Sequence, residues 1–526
     1  SSSEPLAVAI GLHAATDTVP VERRAATVDL VNPQPTVLAV AEAEQHDQTV
    51  AALVLGAASQ RSPDELAILI VGRHRPNWHG ELPHIAGWAG RDEADDAPRL
   101  VHRVAHVLAE RPELHVVVVI EHAFDREDPL PAQLVTGMTE LAVALPNVHV
   151  VLTADHADSV SETQRETCAA FASLRADGDG LLSTPDRSVP FVGITAHSHD
   201  SDIAGPTEFD APQLIVRPAT HGRAMTPLER RLSRATGDDV VADGDDLMTA
   251  AVARQVTNSV ASLGNDPLTR PSLLPPPLPI EIDAASLLAR HTGDGVPIGL
   301  VDRPELAENE AYWWQPGSGG SLLAAGSPRA GMTALIDVIT IGIAGRLSAD
   351  DVHVYAIEAL PQRRRALEVL PHTGSVVTPD DPGNVVRLVE GLHAMMTERQ
   401  TTRRHDGQPD LVLLVSDIGR VRRSLTPETV DDTFARLGAI AASGPSVGIN
   451  VVVVATRYAD LSALTALTGD RLVGPMTDPD DRQRLGAPEI GPADRHPRRC
   501  WSTAADRRVQ LAAPPANVED EIARLA

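Results

Sequence analysis

The stretch Leu322–Leu335 reads LLAAGSPRAGMTAL and determines the local fold of its part of the chain. A short apolar segment leads into a glycine-containing loop, and a second apolar segment with helical composition follows. From Gly326 to Thr333 the loop has the spacing G-x-x-x-x-G-x-T, which is typical of a phosphate-binding loop between a strand and a helix. Met332 stands where that motif has lysine. The stretch therefore predicts a strand–loop–helix unit with altered phosphate chemistry.

Lysine is absent from the whole sequence. All 45 basic residues are arginine, against 72 acidic residues, and the formal net charge is −27. No phosphate-loop lysine can therefore exist, and the planar guanidinium of arginine does not reproduce a compact ammonium. Because phosphate neutralisation needs clustered basic residues, the acidic balance argues against a nucleic-acid partner.

The composition predicts several domains with aliphatic cores. The chain has 526 residues, of which 43% are hydrophobic and only 2% aromatic. No apolar run approaches the roughly 18 residues needed to span a bilayer, and the start lacks the basic region of a signal peptide. The two cysteines lie far apart, which favours the reducing cytoplasm. The opening SSS without methionine is interpreted as the start of an excised piece.

The sequence contains two copies of one domain. Each copy alternates short β-branched apolar runs with longer helical patterns, which predicts an α/β fold with a mainly parallel sheet flanked by helices. Segments that recur in the same order at nearly constant spacing indicate the duplication. They are VAIGL at Val8 and VPIGL at Val296, SPDEL at Ser62 and SADDV at Ser348, LPH at Leu82 and at Leu370, and VHVVLTADHAD at Val148 and INVVVVATRYAD at Ile449.

Domain boundaries are predicted from a change in composition between the copies. We expect a first domain at 1–236, a helix and proline-rich linker at 237–284, and a second domain at 285–526. The linker contains a helical pattern that begins at Asp245, followed by PSLLPPPLP from Pro271. A proline-dense run cannot continue a helix and is typical of a semi-rigid spacer.

These features resemble the FtsK/SpoIIIE superfamily of RecA-like motor ATPases, and in particular degenerate tandem ATPase domains of the type VII secretion motor ATPase. The resemblance rests on the repeated segments, on the connector RPSLLPPPLPIEID before VPIGLVDRP, and on LLSTPDRSVPFVGI at 181–194. It implies two RecA-like domains of the P-loop NTPase type in tandem, each a mainly parallel sheet flanked by helices.

The resemblance also implies a vestigial nucleotide site in the second copy. Thr333 would ligate magnesium, Arg329 would lend positive charge, and Asp417 is the single acid in the second motif, VLLVSDIGR. Cofactors are then either none, or ATP with magnesium in the second domain only, and Met332→Lys is expected to raise nucleotide affinity. The predicted cofactor-binding residues are Gly326, Arg329, Gly331, Met332, Thr333 and Asp417.

In the first copy the corresponding segment is taken as AEAEQHDQT, with Gln48 at the lysine position and Thr49 retained. Like charges repel at short range, so its three carboxylates would oppose a polyphosphate. They are Glu42, Glu44 and Asp47. The family's second motif ends in Asp-Glu, whereas this copy has Glu121 alone. We assign no catalytic residue and no metal ligand in either copy.

Four further segments receive interpretations. Trp313 and Trp314 either pack in a core or line, with Met332, an apolar pocket for a partner; the alternative for Met332 is that it packs inward. Arg363–Arg365 is interpreted as a solvated helix face. HSHDSD at 197–202 has metal-ligand residue types but is interpreted as a solvated loop. Arg457 in ATRY matches the arginine of the family motif A-T-Q-R.

The resemblance favours a non-catalytic, pseudo-ATPase module that docks substrate or regulates a catalytic ATPase domain. The alternative is an atypical or slow ATPase in which the second domain works with residues of a neighbouring subunit; a DNA translocase is disfavoured. Implied partners are an upstream catalytic ATPase domain or other motor subunits and a secreted protein with a helical C-terminal signal, and a homo-oligomer remains open. The expected location is cytoplasmic, at the membrane within a larger motor.

Overall fold

The computed structural model describes residues 6–193 and 272–525, apart from the short segments 14–24, 42, 73–81, 95, 125–131, 176–178, 186, 318, 403–406, 462–463, 465–468 and 490. Contacts divide the chain into two units. The first reaches to Pro275 and includes Pro304–Ala307, and the second comprises Pro276–Arg303 and Glu308–Ala526. The linker helix expected after Asp245 and the segment 197–202 lie outside the described residues. The boundaries 1–236, 237–284 and 285–526 stay predictions.

The described part of the first unit alternates strands with helices. The strands are β1 (Ala7–His13), β2 (Ala25–Asp29), β3 (Thr36–Val40), β4 (Leu66–Val71), β5 (Ile85–Ala89), β6 (His115–Ile120), β7 (Val148–Ala154), β8 (Ala170–Leu174), β9 (Asp179–Thr184) and β10 (Arg187–Gly193). The helices are α1 (Ala43–Ala58), α2 (Arg91–Ala94), α3 (Ala97–Glu110), α4 (Ala132–Ala144) and α5 (Glu162–Glu166).

The second unit repeats this alternation. Its strands are β11 (Val296–Arg303), β12 (Glu308–Trp314), β13 (Leu322–Ala325), β14 (Val352–Ile357), β15 (Thr373–Val377), β16 (Asp410–Val415), β17 (Ile449–Ala455), β18 (Asp470–Val473), β19 (Arg499–Ser502) and β20 (Arg507–Leu511). Its described helices are α6 (Ala284–Arg290), α7 (Ala334–Arg346), α8 (Pro361–Val369), α9 (Pro382–Thr402), α10 (Ile418–Ser424), α11 (Pro427–Ser443), α12 (Pro479–Arg484) and α13 (Val518–Leu525).

The two sheets have the same strand order. The first runs β2-β1-β10-β9-β8-β3-β7-β6-β4-β5 and the second β12-β11-β20-β19-β18-β13-β17-β16-β14-β15. Each strand of one copy therefore has a counterpart at the same place in the other. This identity confirms the predicted duplication and the predicted α/β class.

Each sheet is mixed rather than uniformly parallel. Strands β3 to β8 pair in parallel, as expected for strands joined by crossover helices. Strands β1, β2, β9 and β10 extend the sheet by antiparallel pairing. Hairpins need no crossover helix, which is why the helical alternation in the sequence did not indicate this flank.

Aliphatic strands make up the interior of each sheet. All residues of β4 and β7 are buried, and so are all residues of β17. Parallel strands covered by helices on both faces have continuous apolar runs of this kind. The structure thus places the predicted aliphatic cores on both sides of each sheet. None of the described helices has the length and apolar character needed to cross a membrane.

The helix after β3 and the helix after β13, α1 and α7, each approach their sheet through a glycine. A side-chain carbon added at Gly56 would lie 2.8 Å from Val8 Cγ1, and one added at Gly342 would lie 2.1 Å from Val296 Cγ1. Only glycine allows so close an approach of a helix to a strand. Gly56 and Gly342 are therefore equivalent positions in the two copies.

Candidate functional site

The predicted site of the second unit lies where β13 passes into α7. β13 ends at Ala325 and α7 begins at Ala334. Between them Pro328–Ala330 forms one 3₁₀ turn, and Gly331 has φ 71° and ψ 21°. Glycine adopts this left-handed conformation without strain. The second glycine of the motif therefore fits the shape of the loop whether or not phosphate binds there.

The Met332 side chain fills the inside of this loop. It is 2% exposed and belongs to the core of the unit. A side-chain carbon added at Gly326 would lie 2.7 Å from Met332 Cγ and 2.9 Å from Ala330 Cβ, and one added at Gly474 would lie 2.9 Å from Met332 Sδ. The interpretation that Met332 lines an open apolar pocket is therefore wrong. The flexible thioether packs into the space that the loop encloses, as the inward-packing alternative expects.

Trp313 and Trp314 lie far from the loop. Both belong to β12, the outermost strand, and four strands separate β12 from β13. Neighbouring strands are about 4.8 Å apart, so neither indole can line the crevice beside the loop, and that predicted role is wrong. The buried Trp314 donates its indole N–H to the Gly320 carbonyl, and the Arg346 guanidinium lies over the Trp313 ring.

Several backbone donors of the loop are already used within the unit. The Gly326 N–H donates to the Ala455 carbonyl, the Ser327 N–H to the Pro475 carbonyl at 2.7 Å, and the Ala330 N–H back to the Ser327 carbonyl. The proline after Ser327 has no N–H to offer. A phosphate loop works by turning N–H groups toward the anion, and these three groups point elsewhere.

Arg329 and Thr333 are the predicted loop residues that are exposed. A neighbour that sequence reasoning missed is Arg498, whose backbone N–H donates to the Ala330 carbonyl at 2.7 Å. Its Cγ would lie 3.2 Å from a side-chain carbon added at Gly331. Arg498 lies far along the chain from the loop, so no local pattern indicates this contact.

Asp417 lies two residues beyond the end of β16 and caps a helix. Its Oδ1 accepts the Arg420 N–H at 2.9 Å at the start of α10. The residue directly after the strand is Ser416, which is buried. Arg457, after β17, pairs with Asp460 at 3.1 Å. The ends of β16 and β17 are thus followed by an acid that caps a helix and by the Arg457–Asp460 ion pair. The role of Asp417 toward magnesium stays a prediction.

Strand pairing determines which residues of the first unit correspond to the loop. Ala39 of β3 pairs with Ala154, as Ala325 of β13 pairs with Ala455. The same number of residues separates Ala39 from Gly56 as separates Ala325 from Gly342. His46 therefore corresponds to Met332, and Asp47 to Thr333. The predicted correspondence of Gln48 and Thr49 is wrong by two residues.

The first unit has a helix where the second has a loop. α1 begins at Ala43, whereas the counterpart of that residue is Arg329 in the 3₁₀ turn. Of the three carboxylates expected to repel phosphate, Asp47 is 81% exposed. Glu42 lies outside the described residues, as does the side chain of Glu44.

Two stacked histidines occupy this position in the first unit. His46 is 2% exposed, and its ring centroid lies 4.3 Å from that of His122, with 21° between the ring planes. His46 Nε2 lies 2.6 Å from Thr153 Oγ1, which also accepts the His122 N–H at 2.9 Å. His122 Nδ1 is hydrogen-bonded to Asp155 Oδ1. His122 is the second residue after β6, and Asp417 is the second residue after β16, so the two positions correspond.

Glu121 lies at the end of β6, beside the histidines. Burial raises the pKa of its carboxyl group to about 7, against an opposing effect of His46. A side-chain carbon added at Gly72 would collide with this carboxylate. Among the described residues, no group of three or more His, Cys, Asp or Glu side chains is arranged to hold a metal ion.

Known proteins are similar to this chain in sequence and in fold. No protein-family profile matches the chain. It is 26% identical to the ESX secretion system protein EccC of Thermomonospora curvata over 43% of its own length and 19% of that protein. It is 26% identical to the ESX-5 secretion system protein EccC5 of Mycobacterium marinum over 48% of its length and 22% of that protein. The chain is homologous to the ATPases of type VII secretion systems. It spans about a fifth of the length of these relatives.

Solved structures support the fold of this type VII secretion ATPase homologue. The cytoplasmic domain of T. curvata EccC matches with a TM-score of 0.65 at 17% identity, over 99% of this chain and 66% of that one. ATPases 2 and 3 of the same protein, in complex with a signal sequence peptide, match with 0.59 at 16% identity, over 97% and 93%. EssC ATPases 2 and 3 of Geobacillus thermodenitrificans match with 0.57 at 12% identity, over 98% of both.

This chain lacks the residues with which the family motif binds a polyphosphate. The position of the lysine is taken by His46 in one unit and by Met332 in the other, and both side chains are buried. The family's Asp-Glu pair is replaced by Glu121–His122 and by Ser416–Asp417. A lysine would neutralise the phosphates and the acid pair would serve magnesium and the attacking water. Neither unit supplies this set.

A second feature that sequence reasoning missed is a buried ion network beside α7. Arg363 of α8 contacts both oxygens of Asp337, at 2.7 and 2.8 Å, and Glu358 at 3.4 Å. Burial opposes the charge, but these carboxylates raise the pKa of Arg363. The interpretation of Arg363 as part of a solvated face is wrong. The sequence feature that could have indicated this network is a single acidic residue in each of two apolar segments, ALIDVIT and YAIEAL.

Proposed function

We propose that the chain is a non-catalytic module of a type VII secretion-type motor, which docks secreted substrate or regulates a catalytic ATPase domain elsewhere in the motor. The buried residues at both lysine positions support the absence of catalysis. The homology to secretion ATPases supports the setting. An upstream ATPase domain, other motor subunits and a homo-oligomer remain proposed partners.

The docking proposal rests on a connector segment bound to the first unit. Leu273 is fully buried against the core between β5 and α3, and its N–H donates to the Ala86 carbonyl of β5 at 2.9 Å. Arg103 of α3 donates its Nε–H to the Ser272 carbonyl at 2.6 Å. An edge strand and a helix therefore form a groove that holds a leucine-bearing segment.

We infer the same groove, with an apolar wall, in the second unit. β15 is the outermost strand, as β5 is in the first sheet. Three buried residues of α3, Leu100, Val104 and Val107, recur at the same spacing in α9 as Val385, Val389 and Leu392, which places Leu388 at the position of Arg103. The pairing of β5 and β15 places Gly374 at the position of Ala86. Gly374 is exposed and Leu388 is partly exposed. A leucine in place of arginine favours an apolar side chain of the bound segment over its backbone carbonyl.

The proposed occupant of this groove is the signal segment of a secreted substrate. A relative of this fold, T. curvata EccC ATPases 2 and 3, is known in complex with a signal sequence peptide. The groove at β15 and α9 would receive such a segment through its apolar residues. The homology and the bound connector support this assignment together.

Leu388→Asp is expected to weaken binding of that signal sequence peptide at least about tenfold, because a carboxylate would be desolvated against the apolar segment. The measurement is fluorescence anisotropy with the labelled T. curvata peptide on the full chain. Leu388→Arg introduces the residue that the first unit has at this position and controls for a folding defect caused by a charged side chain. It is expected to weaken binding less than Leu388→Asp does. Val143→Asp, at an exposed apolar position of the first unit, is the matched control. Unchanged affinity in a folded Leu388→Asp variant contradicts the docking site.

The purified chain is expected to hydrolyse ATP no faster than a buffer blank, far below the roughly 1 to 10³ per second of ordinary enzymes. The reason is the missing lysine and acid pair. A phosphate-release assay measures the rate, and assay of nucleotide freed by denaturing the protein tests the alternative of an atypical ATP-binding second domain. Turnover of about 1 per second that Thr333→Ala abolishes would show that the second unit is an active ATPase.

A further inference from the structure

The stacked imidazoles of the first unit join three elements at the strand ends. His46 belongs to the first turns of α1, His122 follows β6, and Thr153, which contacts both, belongs to β7. At the corresponding place in the second unit Met332 is also buried, but it has no titratable group. The first unit therefore has two titratable rings at a position where the second unit has an apolar side chain.

The charged groups beside the pair are unevenly placed. Asp155 is hydrogen-bonded to His122, and the exposed Asp47 lies 3.4 Å from His46 Nδ1. Glu121 is buried beside His46. Asp155 is therefore the close partner of His122, whereas the neighbours of His46 are the exposed Asp47 and the buried Glu121.

We propose that His46 and His122 form a proton-operated latch between the first turns of α1 and the ends of β6 and β7. With one ring neutral the rings stack and the latch is closed. When both rings carry a proton, two like charges face each other at the 4.3 Å separation of the ring centroids, and their repulsion opens the start of α1. The titration of histidine falls in the range where such a change occurs near neutral pH.

Glu121 titrates in the opposite sense and must be separated from the latch. Because its folded pKa is raised from 4.5 to about 7, its contribution to stability is fully present below pH 4.5 and is lost as the pH rises through about 7. Glu121 therefore weakens the first unit on alkalinisation, whereas the latch opens on acidification. The direction of the effect distinguishes the two.

Hydrogen exchange on the full chain tests the latch. Protection factors, which remove the intrinsic pH dependence of exchange, are expected to fall at least about tenfold for residues 46–52 between pH 7.5 and pH 5.0. Residues 334–346 of α7, whose unit has methionine at this position, are expected to keep theirs. His46→Met, which copies the residue of the second unit, is expected to abolish the fall and to retain the fold.

Two further variants make the outcome decisive. His122→Asn, with a residue that tolerates the positive φ of 53° at this position, is also expected to abolish the fall, because one ring cannot repel itself. Glu121→Gln is expected to retain it. The proposal is overturned if wild-type protection is constant, if His46→Met shows the same fall, or if Glu121→Gln abolishes it. It is also overturned if protection falls equally in β6, since that means unfolding of the whole unit.

Discussion

Met332→Lys is expected to destabilise the second unit by about 3 kcal/mol or more, because a buried ammonium would lose its hydration without gaining a partner. The side chain lies among core residues and against Gly326 and Gly474. A lysine there cannot reach a nucleotide without leaving the space that methionine fills. The measurement is denaturant unfolding of the full chain, followed by hydrogen exchange in α7 so that the second unit is observed alone.

Thr333→Lys is the matched control for this variant. It introduces the same charge one residue further along, at an exposed position, and is expected to change the free energy of unfolding by no more than about 0.5 kcal/mol. Met332→Leu, which conserves apolar volume, is expected to cost less than about 1.5 kcal/mol. A Met332→Lys protein as stable as wild type that gains nucleotide binding would show that the loop can reopen.

The sequence leads to the opposite expectation for this position. The motif spacing identifies Met332 correctly as the residue at the lysine position, and from that alone the variant would raise nucleotide affinity. A spacing shows where a residue stands along the chain but not the direction of its side chain. That direction depends on Gly474 at the end of β18, which contacts Met332 from a remote part of the sequence.

The fold could be predicted from the sequence more completely than the site, for a related reason. The repeated apolar segments indicate two α/β units in which strands alternate with helices, and these units were predicted from the sequence. The correspondence of His46 with Met332 was not, because AEAEQHDQT lacks the glycines that would locate it and Thr49 resembles Thr333 by letter alone. Only the pairing of Ala39 and Ala325 with their neighbours determines the register.

Arg363→Met is expected to destabilise the second unit by about 3–5 kcal/mol, because it leaves two buried carboxylates without their cation. Asp337 lies in α7, the helix after the loop, and Glu358 directly follows β14 and accepts the Leu360 N–H at 2.7 Å. The side chains of Arg363 and Glu358 are 12% and 1% exposed, so water cannot replace the lost partner. Denaturant unfolding measures the loss.

Arg365→Met on the same helix is the control. Its guanidinium is 57% exposed and pairs with Glu519 at 3.4 Å, and exposed pairs contribute about 0–1 kcal/mol. If the two variants are equally stable, the network around Arg363 contributes no more than a surface pair. Replacing Asp337 by leucine in the Arg363→Met background is expected to recover part of the loss, since an apolar side chain removes one unpaired charge and suits the surrounding core. Recovery would show that the cost lies in the uncompensated carboxylate rather than in the missing arginine contacts, and hence that charge pairing holds α7 to the segment that follows β14.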